Sequence, residues 1–184
     1  MSDGTYAFGS LRLHEVTSSE IAQVQDILNH APYYHNTIVQ YPAAGIAERC
    51  FAAKPPQGQG NRVFKRFFLI EDEALTRGPL ATLDLYVGFP DYKTASVAMC
   101  VVREDCQRKG VGSRILTEAI PGFLRARHPA VQIISVSLTD NNIPALRCLA
   151  KCGFERTNRW EKLDIKGRPI IAVTFQIRID HPKP

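Results

Sequence analysis

Apolar residues recur along the chain in two rhythms, every second position in some stretches and every third or fourth in others, which mark strands and amphipathic helices respectively. Ser10 to Val16 alternates and reads as a strand. Thr17-Ser18-Ser19-Glu20 follows with the spacing of a capping box, in which a hydroxyl and a carboxylate take up free amides at a helix start. The helix it opens has one apolar face, Ile21, Val24, Ile27 and Leu28. It should stop between His30 and Pro32, because the residue before a proline avoids the helical region. Pro42 to Ala53 reads as a second helix with proline in its first turn, and Pro55-Pro56-Gln57-Gly58-Gln59-Gly60 as a loop.

A β section comes next. Arg62 to Glu71 is rich in Phe and Val, Pro79 to Val87 follows the Arg77-Gly78 turn, and Thr94 to Val102 follows Phe89-Pro90-Asp91-Tyr92. Three strands with short connections make an antiparallel meander. Gly110 to about Arg127 then carries helical spacing at Val111, Ile115, Ala119 and Phe123, and Val131 to Leu138 is a strand again. Strand, helix and strand in this order form a βαβ crossover, which leaves its two strands parallel. Pro121-Gly122 predicts a kink or break in the helix. The chain closes with a helix from Ile143 to Lys151, capped by Gly153, and strands near Phe154 to Ile165 and Pro169 to Ile179. The sum is an α/β chain with a mixed sheet of about seven strands.

Composition narrows this little. The 184 residues are enough for one domain spanning 1–184 with a single core, and 45% hydrophobic with 22% charged content is that of an ordinary globular chain. No basic segment followed by an apolar one opens the sequence, and no uncharged apolar run approaches the ~20 residues of a membrane span, so a cytoplasmic location without membrane partners is expected. The five cysteines, Cys50, Cys100, Cys106, Cys148 and Cys152, are odd in number and contain no CxxC pair, so neither a disulfide framework nor a metal site is expected.

Charge changes the picture more. A net charge of +5 and a pI near 9.0 favour an anionic partner. Arg108, Lys109, Arg114, Arg147 and Lys151 flank or lie on two predicted helices, and no run of five or more like charges exists. That placement suits a compact phosphate ligand better than a nucleic-acid duplex.

The segment from Val102 through Gln107, Arg108, Lys109, Gly110, Val111, Gly112 and Ser113 joins a strand end to a helix start. Its two glycines let the backbone approach a ligand with no Cβ in the way. Successive amides from Arg108 to Ser113 can point into one concavity, reinforced by the positive end of the helix, and a pyrophosphate is the natural occupant. A dinucleotide fingerprint needs Gly or Ala where Ile115 stands, and a Walker A loop needs Gly-Lys-Ser/Thr where here Lys109 precedes Gly110.

At these residues the chain resembles the GNAT superfamily of N-acetyltransferases. The family's Gln/Arg-x-x-Gly-x-Gly/Ala motif stands as Gln107-Arg108-Lys109-Gly110-Val111-Gly112, and its second motif as Asn142, Ala145 and Gly153-Phe154. The predicted element order matches over nearly the whole chain, and the motifs cover about residues 94 to 154. The resemblance implies a GNAT fold, a twisted mixed sheet flanked by helices, with a βαβ unit that binds acetyl-CoA. It implies that the backbone of Cys100, Val101 and Val102 pairs with the pantetheine arm. Gln107 to Ser113 would hold the pyrophosphate, and Asn142 would contact the cofactor where the parallel strands part. Backbone amides at that splay would stabilise a tetrahedral oxyanion, where one donor is worth ~3 kcal/mol.

The catalytic groups are less regular. Many relatives carry a proton-donating tyrosine four residues after the motif alanine, where this chain has Leu149; relatives resembling ribosomal-protein N-terminal acetyltransferases lack it too. Water, Tyr86 or Tyr92 are the substitutes in view. Histone-acetyltransferase-like relatives place a glutamate base where Ser96 stands, and a serine is no base unaided. Asp84, an isolated charge within Leu83-Asp84-Leu85-Tyr86, reads either as the base or as a solvent-facing strand residue. His35 reads either as a base or as a surface or packing histidine, Tyr33, Tyr34 and Tyr41 suit an acceptor pocket or simply the core, and Trp160 reads as packing.

The expected activity is transfer of acetyl from acetyl-CoA directly to a primary amine, favouring a small molecule over a protein N-terminus, by a monomer or homodimer. Direct attack is preferred because Cys100 and Cys106 lack a nearby histidine in sequence. A non-catalytic acyl-CoA-binding module and a nucleic-acid-binding domain are the alternatives.

Overall fold

A computed structural model describes residues 4–39, 43–58, 62–75, 78–165 and 168–180. Among these, one eight-stranded mixed sheet runs in the order β1-β2-β3-β4-β5-β6-β8-β7. The strands are β1 (Thr5–Phe8), β2 (Leu11–Glu15), β3 (Phe64–Asp72), β4 (Ala81–Val87), β5 (Thr94–Val102), β6 (Ile133–Thr139), β7 (Glu155–Ile165) and β8 (Arg168–Arg178). The expected antiparallel meander is β3-β4-β5, and β5 and β6 are the parallel pair.

Helices cover both faces. On one lie α1 (Ile21–Asn29) and α2 (Ile46–Ala52), packed through Val24, Ile27, Leu28 and Ala47 onto Phe67, Leu69, Met99 and Val101. The anticipated cap at the start of α1 is present, with the Glu20 carboxylate accepting from the main-chain amide of Thr17 at 2.8 Å and from its hydroxyl at 2.7 Å. Pro42, the expected start of the second helix, lies outside the described residues. On the opposite face, α3 (Val111–Arg114), a π-helical turn (Ile115–Ala119), α4 (Ile120–Arg127) and α5 (Ile143–Lys151) cover the larger core of Phe68, Leu83, Leu85, Ile115, Ile120 and Phe123.

Two features depart from the sequence expectation. The sheet has an extra strand, β1, whose Tyr6 ring stands edge-on to Phe68 and Phe123 at centroid distances of 6.1 and 5.0 Å. The disturbance expected at Pro121-Gly122 falls one turn earlier, as the π-helical turn that precedes Ile120: without an N–H, Pro121 cannot close the usual bond to the carbonyl of Thr117. Gly122 serves packing, since a Cβ there would lie 2.4 Å from the Phe8 ring.

The feature that positions the site is a bulge in β5. Asp84 pairs with Met99 but Leu85 with Val97, so Ala98 is the extra residue. It reverses the alternation of the strand: Ala95 and Val97 face the larger core, then Cys100 and Val102 do, while Met99 and Val101 turn to the α1–α2 side. β5 and β6 pair only over Thr94–Val97 and Ile133–Val136, and beyond the bulge the two strands part.

Candidate functional site

A cleft of about 560 Å³ opens where β5 and β6 separate. Its floor is Val97–Val102 and Val136–Thr139. Gln107, Arg108, Gly110–Ser113 and several residues of α5 line it from one face of the sheet, and Ala31, Tyr33, Tyr34 and Ile38 line it from the other. The cleft therefore passes through the sheet, so two molecules entering from opposite faces can meet at the split. From Ala98 to Val102 the main-chain groups on the β6 side of β5 have no strand partner, an edge that an extended amide-bearing chain can pair with.

The loop between β5 and α3 is shaped by two left-handed residues, Arg108 at φ 59° and Gly110 at φ 83°. Gly110 accepts from the Arg114 amide at 3.0 Å and so starts the helix. The amides of Val111, Gly112 and Ser113 are first-turn donors that a helix leaves without an internal acceptor. No main-chain hydrogen bond among the described residues takes up those of Arg108, Lys109 or Gly110 either. Six amides in left- and right-handed succession at a helix start make a concavity that could hold a pyrophosphate. Arg108, Arg147 and Lys151 also line the cleft. Gln107 fastens the loop: its Nε2 donates to the Val102 carbonyl at 2.9 Å.

Not every cation foreseen at this end is free for a phosphate. Arg114 donates to the fully buried Asp72 at 2.6 Å and to Ser10 Oγ at 2.9 Å, fixing α3 to the end of β3. Burial alone would raise Asp72, but hydrogen bonds from Ser10, the Ala74 amide and Arg114 outweigh it and leave the carboxyl below its ordinary range. Asn142 lines the cleft and also caps α5, its Oδ1 accepting from the Ala145 amide at 3.4 Å. Cys100 and Cys148 line the cleft as well. Burial, with a smaller contribution from Cys148, pushes Cys100 up to about 12, so it remains an unreactive thiol at neutral pH.

The three residues expected at the chemical centre, Asp84, Tyr86 and Ser96, are not among those lining the cleft. Asp84 is not solvent-facing; it is 3% exposed and accepts from Lys65 Nζ at 2.6 Å through Oδ2, while its buried Oδ1 has no partner. Burial raises its pKa, and the bond and charge of Lys65 offset part of that rise. Tyr86 is half-buried beneath the same ammonium, 5.1 Å from its ring centroid. The Ser96 hydroxyl donates to the Phe89 carbonyl at 2.8 Å and is occupied as a turn brace.

The tyrosine that does line the cleft is Tyr34, at the start of a π-helical segment, Tyr34–Val39. Burial, then Cys50 and Asp84, push its hydroxyl up to about 12, which places it in the field of Asp84. Sequence reasoning offered Tyr34 for an acceptor pocket or the core but missed the influence of Asp84, because an electrostatic effect between residues 50 positions apart leaves no local signal. Leu149 is buried against the cleft. Tyr92 is 59% exposed and absent from its lining, Tyr41 lies outside the described residues, and His35 is buried with its Nε2 donating to the Leu28 carbonyl. Trp160 is not packed as expected: it is 67% exposed on β7, an edge strand of the sheet among the described residues. No cluster of three or more potential metal ligands occurs among the described residues, and no described helix is long and apolar enough to cross a membrane.

The Acetyltransferase (GNAT) family matches residues 29–154. Among solved structures, an acetyltransferase from Thermus thermophilus is 19% identical, with 92% of this chain and 97% of that one aligned at a TM-score of 0.65. A spermidine N-acetyltransferase from Vibrio cholerae, in complex with CoA and spermine, is 13% identical over 92% of this chain and 96% of its own, at 0.67. The ribosomal-protein-S18-alanine N-acetyltransferase from Escherichia coli is 16% identical over 94% and 96%, at 0.62. At these identities the likeness is one of fold. No curated protein matches the chain.

Proposed function

The chain belongs to the GNAT acetyltransferase family, and on that footing we propose that it moves acetyl from acetyl-CoA to the primary amine of a small molecule by direct attack. The observation that carries this reading is the cleft through the split sheet, with the amide-lined concavity on one face and an aromatic, apolar wall on the other. The amides of Arg108 to Ser113 hold the pyrophosphate, the free edge of Cys100 to Val102 pairs with the pantetheine arm, and Asn142 braces the turn where the strands part.

Only a neutral amine is nucleophilic, so a base must take the proton it sheds. Asp84 is that base, reached through water because it is not among the residues lining the cleft, and its burial gives it a proton affinity above that of an exposed aspartate. As nitrogen bonds to the carbonyl carbon and the carbon–sulfur bond breaks, Tyr34 gives its proton to the departing sulfur and recovers one from Asp84. The net transfer is one proton from nitrogen to sulfur. Lys65 keeps Asp84 ionised before the reaction. The high pKa of Cys100 supports direct attack over an acetylated cysteine.

Thiol release from acetyl-CoA across a panel of primary amines tests the proposal. Turnover dependent on an amine is the expected result. Tight CoA binding with no turnover on any amine would favour a non-catalytic sensor instead.

A further inference from the structure

This inference rests on the acetyltransferase reading above and names the acceptor. We propose that the acceptor is a monoamine with an uncharged, apolar body of modest size, oriented by the hydroxyl of Thr139, and that polyamines are rejected. The ionisable residues that line the cleft and carry charge at neutral pH are Arg108, Arg147 and Lys151, all cations and all on the loop and α5 side. No carboxylate is among the described lining residues, and residues 31–38, which supply the opposite wall, contain no Asp or Glu in sequence. Of the acids nearby, Asp84 is already matched by Lys65 at 2.6 Å, and Asp140, next to Thr139, is exposed and not among the lining residues. A second ammonium on the acceptor would thus enter a low-dielectric cleft with no counter-charge, whereas an apolar body meets Ala31, Tyr34, Ile38 and Met99.

Polar geometry points the same way. Thr139 is 9% exposed and lines the cleft at the end of β6, and its Oγ1 has no hydrogen-bond partner. A buried hydroxyl left unpaired is unfavourable, so a ligand carrying one polar group at that depth is favoured over one carrying none or several. Asn141, just beyond, ties the β6–α5 turn to the far wall: its Nδ2 donates to the Thr37 carbonyl and its own carbonyl accepts from Tyr33 Oη, each at 3.4 Å. This strap narrows the acceptor side of the cleft and favours a compact molecule over a peptide.

The test compares 2-phenylethylamine and isopentylamine with spermidine and putrescine, reading thiol release and, with CoA saturating, the shift in Tm each amine produces. The monoamines should exceed spermidine in kcat/KM by on the order of 100-fold, the discrimination expected where like charges face each other without compensation. They should also raise Tm where the polyamines do not. Thr139→Val, close in shape, should raise the monoamine KM about tenfold, the loss of one hydrogen bond, while leaving CoA affinity unchanged. Spermidine or putrescine turned over as well as the monoamines, or a Thr139→Val enzyme with unaltered KM, overturns the inference and leaves the acetyltransferase reading standing. CoA binding with no thiol release for any amine overturns both.

Discussion

Replacing Gly112 with alanine separates binding from folding at the phosphate loop. Gly112 sits in the first turn of α3 with helical backbone, and an added Cβ would meet only Cys148 Sγ at 3.8 Å, an ordinary contact. The substitution therefore fits, and removing glycine's freedom from the unfolded chain should stabilise the protein by about 0.4–1 kcal/mol. At this chain length each kcal/mol moves Tm by about 2–4 °C, so a rise of roughly 1–4 °C is expected. The same methyl stands in the cleft between α3 and α5, where the loop amides open. The family motif accepts alanine at this position, so that methyl alone should leave CoA affinity nearly unchanged; the larger side chain of Gly112→Val holds a pyrophosphate away from at least one amide, a charge-assisted hydrogen bond of about 1.5–3 kcal/mol, or roughly 10- to 150-fold in Kd for CoA. Thermal melting and calorimetric titration of CoA on the same preparation give both numbers. Unchanged CoA affinity in Gly112→Val would refute the loop assignment, and a fall in Tm for Gly112→Ala would refute the inference that the site tolerates a methyl.

Further outcomes follow from the ion pairs and the packing. Arg114→Met leaves Asp72 buried without its guanidinium and should cost about 3 kcal/mol in denaturant unfolding, the lower end for a broken buried pair because Ser10 and the Ala74 amide still donate to it. Because the folded pKa of Asp72 is depressed, its contribution is present above the unfolded carboxylate range and lost as pH falls through the folded value; in Arg114→Met that loss should begin at higher pH. Asp84 must be ionised to accept a proton and its pKa is raised. The acid limb of kcat should therefore lie above the ordinary aspartate value of ~3.9, and Lys65→Met should move it higher still, because Lys65 is what lowers it. Tyr34→Phe should reduce kcat by about 10²-fold with little change in CoA affinity. Gly122→Ala drives a methyl into the Phe8 ring and should destabilise by about 1–3 kcal/mol, with Phe8→Leu in the same chain recovering part of that loss in a double-mutant cycle.

Much of the framework was readable from local pattern. β5 begins and ends where the run Thr94 to Val102 predicted, α5 where Ile143 to Lys151 did, and the loop glycines announced a helix start because their backbone requirement is local. β1 was not readable: four residues make a weak alternation, and its place depends on Tyr6 meeting Phe68 and Phe123, residues far away in sequence. The bulge at Ala98 was invisible for a similar reason. It exists only in register against β4, yet it turns Met99 and Val101 to the α1–α2 side and parts β5 from β6. The motif residues were legible because each answers to its own backbone. Asp84 could be singled out as a charge in an apolar strand, but not its pairing with Lys65 or its influence on Tyr34, since both arise from neighbours brought together by the folded sheet and the Tyr34–Val39 segment.

The central claim is that one cleft through the divided sheet holds the acetyl donor by main-chain amides. Amide NMR during titration with CoA measures this residue by residue. The resonances of Arg108 to Ser113 and of Ala98 to Val102 should shift strongly and together, with those of β7 and β1 unmoved. Saturation with CoA that leaves residues 108–113 unshifted, or that perturbs the outer strands instead, would contradict it.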